Sequence, residues 1–188
     1  MCGRYYVDSD DSSEELAALI AQAQRRCKEQ IKTGEIRPTD IAPVIANNRA
    51  GKATPFAMRW GFNCRGALIF NARSETAASK PLFQESMERR RCLIPASYYF
   101  EWEKRGKERV KYAIGAGEAI YMAGLYRMED TGPVFTILTR EAAAEIAFIH
   151  DRMPVIIPSK LREAWLRSGC ELSSIVKSSI KDAFVRTA

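Results

Sequence analysis

Apolar residues recur at helical spacing in the first part of the chain. The stripe comprises Leu16, Leu19, Ile20, Ala23, Cys27 and Ile31. Ser12 and Glu15 stand ahead of it in the capping-box arrangement, in which both side chains bind backbone N–H groups at a helix start. This pattern predicts a helix over residues 12–32 whose apolar stripe, with Cys27 in it, lies in the core.

Beyond Gly34 the helical spacing gives way to short runs of β-branched and aromatic residues bounded by Gly and Pro, a pattern typical of paired strands. The predicted strands cover residues 55–62, 67–73, 91–104, 110–115, 119–128, 134–140 and 154–158. Gly106 marks the turn of a predicted hairpin over residues 104–112. Helices are predicted over residues 141–149, capped by Thr139 or the residues just after it, and over residues 160–167, after Ser159.

The order of these elements indicates one compact α+β domain over residues 1–188, β-rich, with barrel-like antiparallel sheets and a few peripheral helices. Hydrophobic residues make up 46% of the chain and charged residues 28%, values ordinary for a soluble globular protein. No apolar run reaches the ~18 residues that span a bilayer, and the first residues lack the features of a secretory signal. We therefore expect a monomer in the cytoplasm, associated with the nucleoid if the source is bacterial.

The cysteines and the charge narrow the chemistry. The five cysteines are scattered without a C-x-x-C pair, and His150 is the only histidine, so neither a zinc site nor a disulfide framework is expected. No metal or organic cofactor is predicted. The formal net charge of +6 favours a polyanionic partner such as nucleic acid, although many basic proteins bind none. The run Arg89–Arg91 is better explained as a solvated helix end than as a binding site.

Four short stretches contain residues suited to chemistry. The chain opens MCGRYY, and removal of Met1 would give Cys2 an α-amine and a thiol on adjacent carbons, with ordinary pKa values of about 7.7–8.0 and about 8.5. The alternative is that Cys2 is a chance, half-buried hydrophobe. NARSET, which begins at Asn71 after an apolar strand, suits a polar site at a sheet end, or else a hydrogen-bonded turn.

The other two stretches contain a carboxylate and the histidine. In YYFEWEK, alternation along a strand places Glu101 on the face of Tyr99 and Glu103, opposite Phe100 and Trp102. A carboxylate between aromatic residues gains a raised pKa suited to acid–base work; the alternative is an exposed strand carboxylate. His150, in FIHDRMP, lies among charged residues at a junction of elements, which suits either a functional or a structural histidine.

Taken together, the stretches MCGRY, NARSET, RCLIPASYYFEW and FTILT…IHDRMPVI, in this order, resemble the signature blocks of the SOS response-associated peptidase (SRAP) family. RPTDIAPVI and RWGF resemble weaker blocks between the first two, so the resemblance spans residues 2–165. It implies a β-rich α+β fold around a positively charged groove for single-stranded DNA. It also implies a covalent crosslink to abasic sites, which shields the lesion.

The resemblance assigns a role to each matching residue. Cys2 would capture the aldehyde of the ring-opened abasic sugar as a thiazolidine, through its amine and its thiol. Asn71 would orient the amine, Glu101 would move protons during dehydration, and His150 would protonate the released sugar oxygen. The expected DNA contacts are phosphate clamps by Arg4, Arg73 and Arg152, a hydroxyl contact from Thr139, and base stacking on Trp60 and Trp102.

Two other functions compete with crosslinking. The first is a cysteine-dependent hydrolase or autopeptidase, as the family name suggests; self-cleavage would need residues ahead of Cys2, where only Met1 stands. The second is a non-covalent single-strand binder that uses the arginines and tryptophans. It leaves Cys2, Glu101 and His150 without a role.

Overall fold

A computed structural model of the chain describes residues 2–8, 14–167, 172–177 and 184–188. The strands are β1 Arg4–Val7, β2 Gly34–Ile36, β3 Ile41–Asn47, β4 Ala53–Trp60, β5 Phe62–Cys64, β6 Ala67–Ile69, β7 Asn71–Arg73, β8 Arg91–Ala96, β9 Tyr98–Arg105, β10 Glu108–Gly115, β11 Ile120–Glu129, β12 Gly132–Glu141, β13 Arg152–Pro154 and β14 Phe184–Thr187. The helices are α1 Glu14–Gln24, α2 Ser74–Ala77, α3 Pro81–Arg89, α4 Arg162–Leu166 and α5 Leu172–Lys177.

Five strands close into a barrel. They pair in the order β11–β8–β3–β4–β12, and β12 returns to pair with β11. The pairs are antiparallel except β4 with β12, which run parallel. On the β4 side of β12, β7 also pairs in parallel, and β13 pairs antiparallel with the opposite side of β12. Closure leaves these strands no open edge, and it places the start of β7 beside the middle of β12.

A second sheet covers the barrel. Its five antiparallel strands follow the order β14–β10–β9–β1–β2. Its inner face contributes Tyr5, Tyr99 and Ile114, which are fully buried in one apolar cluster with the barrel residues Trp60 and Phe135. A second cluster packs α3 and α4 against the barrel. The prediction of a β-rich α+β fold with barrel-like antiparallel sheets and a few helices is confirmed.

The predicted helices have mixed outcomes. The first is confirmed as α1, but it ends at Gln24 because the Gln24 amide binds the backbone of the following residues: Nε2 donates to Cys27 and Glu29, and Oε1 accepts from Ile31. Ser12, the predicted cap, lies outside the described residues. The helix over 160–167 is confirmed as a 3₁₀ turn at Ser159–Leu161 followed by α4.

The helix predicted over residues 141–149 is wrong. This segment forms successive turns, in which the N–H groups of Ile146 and Ala147 both donate to the carbonyl of Ala143. Pairing with the strand that follows restrains the segment: Ala142 N–H donates to the Asp151 carbonyl, and Ala143 N–H to the Met153 sulfur. Alanine propensity alone is too weak to override such tertiary constraints.

Two shorter features complete the frame of the site. The predicted hairpin at Gly106 is confirmed: β9 and β10 pair from Arg105 with Glu108 onward, and Gly106 takes a positive φ of 60° that favours glycine. α3 was not predicted, although Pro81 at its first turn and the buried Phe83 and Met87, four residues apart, are helix signals.

Among the described residues, no helix is long and apolar enough to cross a membrane.

Candidate active site

Cys2 lies just ahead of β1 and is completely buried. Its thiol donates to the Arg4 carbonyl, with the sulfur 3.7 Å from the oxygen. Burial, and secondarily the nearby carboxyl of Glu101, raise the pKa of the Cys2 thiol far above its ordinary value. The sulfur is therefore a neutral thiol at physiological pH.

Asn71 fixes the backbone of Cys2. It begins β7, where the parallel pairing with β12 at Ile137 sets its position. Its side-chain Nδ2 donates to the Cys2 carbonyl at 2.8 Å, across 69 residues of sequence. The other amide atom, Oδ1, is buried and accepts no hydrogen bond from the described residues. Asn71 thus presents an unpaired acceptor close to the Cys2 backbone, where it could accept from an N–H donor.

Glu101 is buried on the inner face of the second sheet. Strand alternation holds as predicted: Tyr99 and Glu101 face inward, and Phe100 and Trp102 make ring contacts on the outer face. Only 3% of Glu101 is exposed, so the alternative of an exposed strand carboxylate is wrong. Burial raises the pKa of the Glu101 carboxyl above its ordinary value.

His150 follows the turns of residues 143–149 and is half-buried. Its Nδ1 accepts a hydrogen bond from the Arg152 N–H at 3.0 Å and lies 2.6 Å from the Asp151 carboxylate. The first contact suits the neutral ring, with its proton on Nε2; the second suits the charged ring, whose Nδ1–H donates to Asp151. Nδ1 of His150 is thus in contact with both the Arg152 backbone and the Asp151 carboxylate.

The three predicted phosphate clamps occupy different surroundings. Arg4 lies over the Trp102 ring, 5.2 Å from its centre, and pairs with Glu35 at 3.2 Å. Arg73 is exposed at the end of β7, and its guanidinium forms no hydrogen bond or ion pair with the described residues. Arg152 is largely buried, and it pairs with Glu75 through two hydrogen bonds of 2.7 and 2.8 Å.

Two of the predicted DNA contacts lie in the core. Trp60 is fully buried, donates through Nε1 to the Phe70 carbonyl at 2.8 Å and stacks on Phe135. It has no open face for a base, so its predicted stacking role is wrong for this structure. Thr139 is 1% exposed, and its carbonyl accepts from Arg152 at 2.8 Å. Thr139 therefore positions Arg152 and offers no hydroxyl to a strand outside.

Residues that the sequence analysis did not single out also lie here. Phe148, two residues before His150, is 56% exposed and meets the ring of Tyr112 edge-on at 5.8 Å. Tyr112 pairs with Glu101 across β9 and β10, so Phe148 lies near the site as an open aromatic surface. Glu75 and Glu35 hold two of the arginines. No sequence signal indicated the exposure of Phe148, because this residue lies in the apolar run of residues 146–149.

The described residues contain no group of three or more His, Cys, Asp or Glu side chains placed to hold a metal ion. The arrangement instead brings a buried thiol, an amide, a carboxyl and an imidazole together from four distant segments. Such a set can bind and orient an amine, donate and accept protons, and exclude bulk water.

Comparison with known proteins identifies relatives of this chain. The sequence profile of the family described as SOS response associated peptidase (SRAP) matches residues 1–185. Abasic site processing protein YoqW of Bacillus subtilis (strain 168) is 30% identical over 193 residues, covering 88% of this chain and 80% of that protein. Abasic site processing protein YedK of Escherichia coli (strain K12) is 32% identical over 119 residues, covering 58% of this chain and 54% of that protein.

Solved structures share the fold. The crystal structure of a phage-related protein from Bordetella bronchiseptica superposes with a TM-score of 0.77 at 19% identity, covering 100% of this chain and 94% of that one. A protein from Bacteroides thetaiotaomicron superposes with a TM-score of 0.74 at 20% identity, covering 99% of this chain and 91% of that one. At these identities the likeness concerns the fold.

Proposed function

The chain belongs to the SOS response associated peptidase (SRAP) family, and from this we propose that it acts on abasic sites in DNA. Relatives that cover most of its length are named abasic site processing proteins. We further propose that it captures the abasic site in single-stranded DNA as a covalent thiazolidine on Cys2, and so shields the lesion during the DNA damage response.

The proposed reaction uses both nucleophiles of Cys2. After removal of Met1, the α-amine adds to the aldehyde carbon of the ring-opened sugar and forms a carbinolamine. Loss of water, with a proton delivered to the departing hydroxyl, leaves an imine. The Cys2 sulfur then adds to the imine carbon, its proton passes to the nitrogen, and a five-membered ring closes. One water is lost overall, and no oxidant or reductant is consumed.

The surrounding residues suit the steps of this reaction. Asn71 holds the Cys2 backbone and leaves an acceptor for the amine. Glu101 has a raised pKa, which makes it a proton donor nearer neutrality than an ordinary carboxyl. His150 protonates the sugar oxygen released when the ring opens. The neutral Cys2 thiol does not compete with the amine for the first addition.

One observation carries the proposal: the 2.8 Å hydrogen bond from Asn71 to the Cys2 carbonyl. It fixes the residue by its backbone, which a reaction at the α-amine requires. A buried structural cysteine has no such requirement, since its packing is set by its side chain. The DNA strand would approach over Arg4, Arg73 and Trp102, and over Arg152 once Glu75 releases it.

Peptidase activity on other proteins is less well supported. Catalytic cysteines in hydrolases carry lowered thiol pKa values, set by a nearby positive charge or helix N-terminus. Here burial and Glu101 raise the pKa of the Cys2 thiol. A thiol in this state suits the late ring closure of a thiazolidine better than the direct attack on a peptide bond.

Denaturing gel electrophoresis tests the proposal. Purified protein with confirmed removal of Met1 is incubated with a single-stranded oligonucleotide carrying one abasic site, then heated and separated. We expect a shifted band with wild type and none with Cys2→Ala. Cys92→Ala is the matched control, since Cys92 is also a free and fully buried thiol. A band of equal yield with Cys2→Ala would overturn the proposal.

A further inference from the structure

The outer face of the second sheet carries an unusual density of aromatic rings. We name this surface the aromatic platform, and its members are Tyr6, Tyr98, Phe100, Trp102 and Phe184. Tyr6 and Tyr98 stack in parallel, with ring centres 5.0 Å apart and an interplanar angle of 6°. Tyr98 meets Phe100 at 5.3 Å, and Phe100 meets Trp102 at 6.4 Å. The rings thus form a continuous series away from the Cys2 site.

Strand register explains why the rings line up. Tyr6 lies opposite Tyr98 in the β1–β9 pair, and Phe184 lies opposite Gly115 in the β10–β14 pair. A side chain on Gly115 would place its Cβ 2.9 Å from the Phe184 ring, so the glycine leaves room for this ring to pack against it. The C-terminal strand β14 therefore completes the platform.

Cations lie over the same rings. Lys111 is 3.6 Å from the centre of Phe100, and Arg186 is 5.2 Å from Tyr98 and 5.6 Å from Phe184. Arg4 occupies the end next to Trp102. Glu35 is an acidic residue at the edge of this surface, and Arg4, Arg37 and Lys111 surround its carboxylate. The platform is basic overall.

This combination identifies a class of ligand. Rings spaced along a positively charged sheet match a polymer with a flat base and a phosphate at each step, which is a single-stranded nucleic acid. Sheets with exposed aromatic residues stack about two or three bases in a widespread class of RNA-binding domain. The surface of a folded protein partner would not need a positive charge over so many of the rings, so this occupant is disfavoured.

We propose that the aromatic platform carries the path of the strand beyond Trp102 and binds the undamaged single-stranded DNA that continues from the abasic site, with bases on Tyr98 and Phe184 and phosphates on Lys111 and Arg186. Tyr98 and Trp102 are four residues apart on one strand, so the platform extends about 13 Å beyond the site at 3.2–3.4 Å per residue. The proposal rests on the proposed function only in taking the strand to start from an abasic site held at Cys2. Binding of the strand to the platform would keep the protein on DNA beside the lesion.

The test measures affinity for undamaged single strands by fluorescence anisotropy. Single-strand-binding folds occupy about 4–16 nucleotides, so oligonucleotides at the two ends of that range separate the site from the platform. We expect Tyr98→Ser/Arg186→Gln to weaken binding of the long strand about tenfold, in the range of one lost base stack, and to leave the short strand unchanged. Phe184→Ser/Arg186→Gln, which leaves β9 intact, gives the same result if the first variant folds poorly.

A matched control removes the same groups elsewhere. Tyr126 and Arg49 line a groove on the barrel, and Tyr126→Ser/Arg49→Gln should bind both strands as wild type does. Wild-type affinity of both platform variants for the long strand would overturn the proposal. If wild type fails to crosslink an abasic strand but platform variants still lose long-strand affinity, the crosslinking proposal fails and the platform proposal stands.

Discussion

At the level of single residues, the site depends on two ionisable side chains that a folded protein ordinarily keeps in water. Cys2 and Glu101 are both buried, and each is held in its neutral form more strongly than usual. Burial of a carboxyl costs stability unless it is paired or hydrogen-bonded. The proposed role of Glu101 as a proton donor would explain why a carboxyl is present at this buried position.

The first prediction concerns the pH dependence of stability. A raised folded pKa means that the folded state holds the Glu101 proton more tightly than the unfolded chain does. Stability is therefore fully present below the unfolded pKa of about 4.3, and part of it is lost as the pH rises through the folded pKa. We expect Glu101→Gln to raise the melting temperature at neutral pH and to match wild type near pH 4, while crosslinking slows and DNA affinity stays nearly unchanged.

Glu103→Gln on the same strand is the control. Because Arg105 lowers the pKa of Glu103, replacing this carboxylate should not raise the melting temperature at neutral pH. Equal loss of crosslinking and DNA affinity in Glu101→Gln would place Glu101 in binding or folding. A melting temperature that falls at neutral pH would contradict the stated pKa direction.

The second prediction concerns Asn71. Asn71→Ala removes the donor to the Cys2 carbonyl, and we expect a stability loss of about 1 kcal/mol, typical of one hydrogen bond, with a much larger loss in crosslinking rate. Asn47→Ala removes a comparable bond to the Leu166 carbonyl at 2.9 Å and should cost similar stability without affecting the rate. Chemical denaturation and single-turnover kinetics measure the two quantities. Equal rate losses in both variants would show that Asn71 is merely structural.

At the level of elements, strand pairing brings the site together. β7 and β13 lie on β12, and this places Arg152 of β13 against Glu75 of the short helix α2 that follows β7. The two hydrogen bonds hold the guanidinium in the geometry in which it would grip a phosphate, but with its charge already neutralised. Under the proposed function, the Glu75 carboxylate occupies the place that a DNA phosphate would take.

The third prediction follows from this ion pair. We expect Glu75→Gln to raise the affinity for undamaged single-stranded DNA several-fold, because Arg152 loses its competing carboxylate. Glu163→Gln removes the same charge from an exposed pair with Arg167 on α4 and should have little effect. Fluorescence anisotropy compares the two variants. A reduced affinity in Glu75→Gln would mean that the ion pair positions Arg152 and does not restrain it.

Elements with a local cause were predictable from the sequence. The Gly106 hairpin and α4 follow from turn chemistry and apolar spacing. The segment over residues 141–149 was not predictable, because its backbone is held by contacts to Asp151 and Met153 that lie on the other side of the turns. Likewise, residue type gave no means to see that Trp60 and Thr139 are buried, since burial depends on how β4 and β12 meet in the barrel.

The assembly of Cys2, Asn71, Glu101 and His150 lies between these cases. Each stood out in its own stretch, but only the family resemblance indicated that they belong to one site. Their meeting depends on pairings between distant strands, β1 with β9 and β7 with β12, which no local pattern encodes.

At the level of the whole molecule, the net charge of +6 favours binding to DNA. The fourth prediction is that binding of a short undamaged strand weakens with salt. If Arg4, Arg73 and Arg152 each neutralise one phosphate, the logarithmic slope is about −2, at about −0.7 per phosphate on single strands. Arg73→Gln should make the slope shallower by about 0.7, whereas Arg49→Gln on the barrel should not change it. A slope near zero in wild type would contradict the clamp roles.

The most direct test of the account asks whether both nucleophiles of Cys2 are needed. Cys2→Ser keeps the terminal amine and replaces the thiol, so it can form an imine but no thiazolidine. Each protein is incubated with the abasic strand, with and without borohydride, which reduces an imine to a stable amine, and then heated and run on a denaturing gel. We predict a heat-stable band for wild type without reductant, and for Cys2→Ser a band only with borohydride. A heat-stable band of equal yield for Cys2→Ser without reductant would contradict thiazolidine capture.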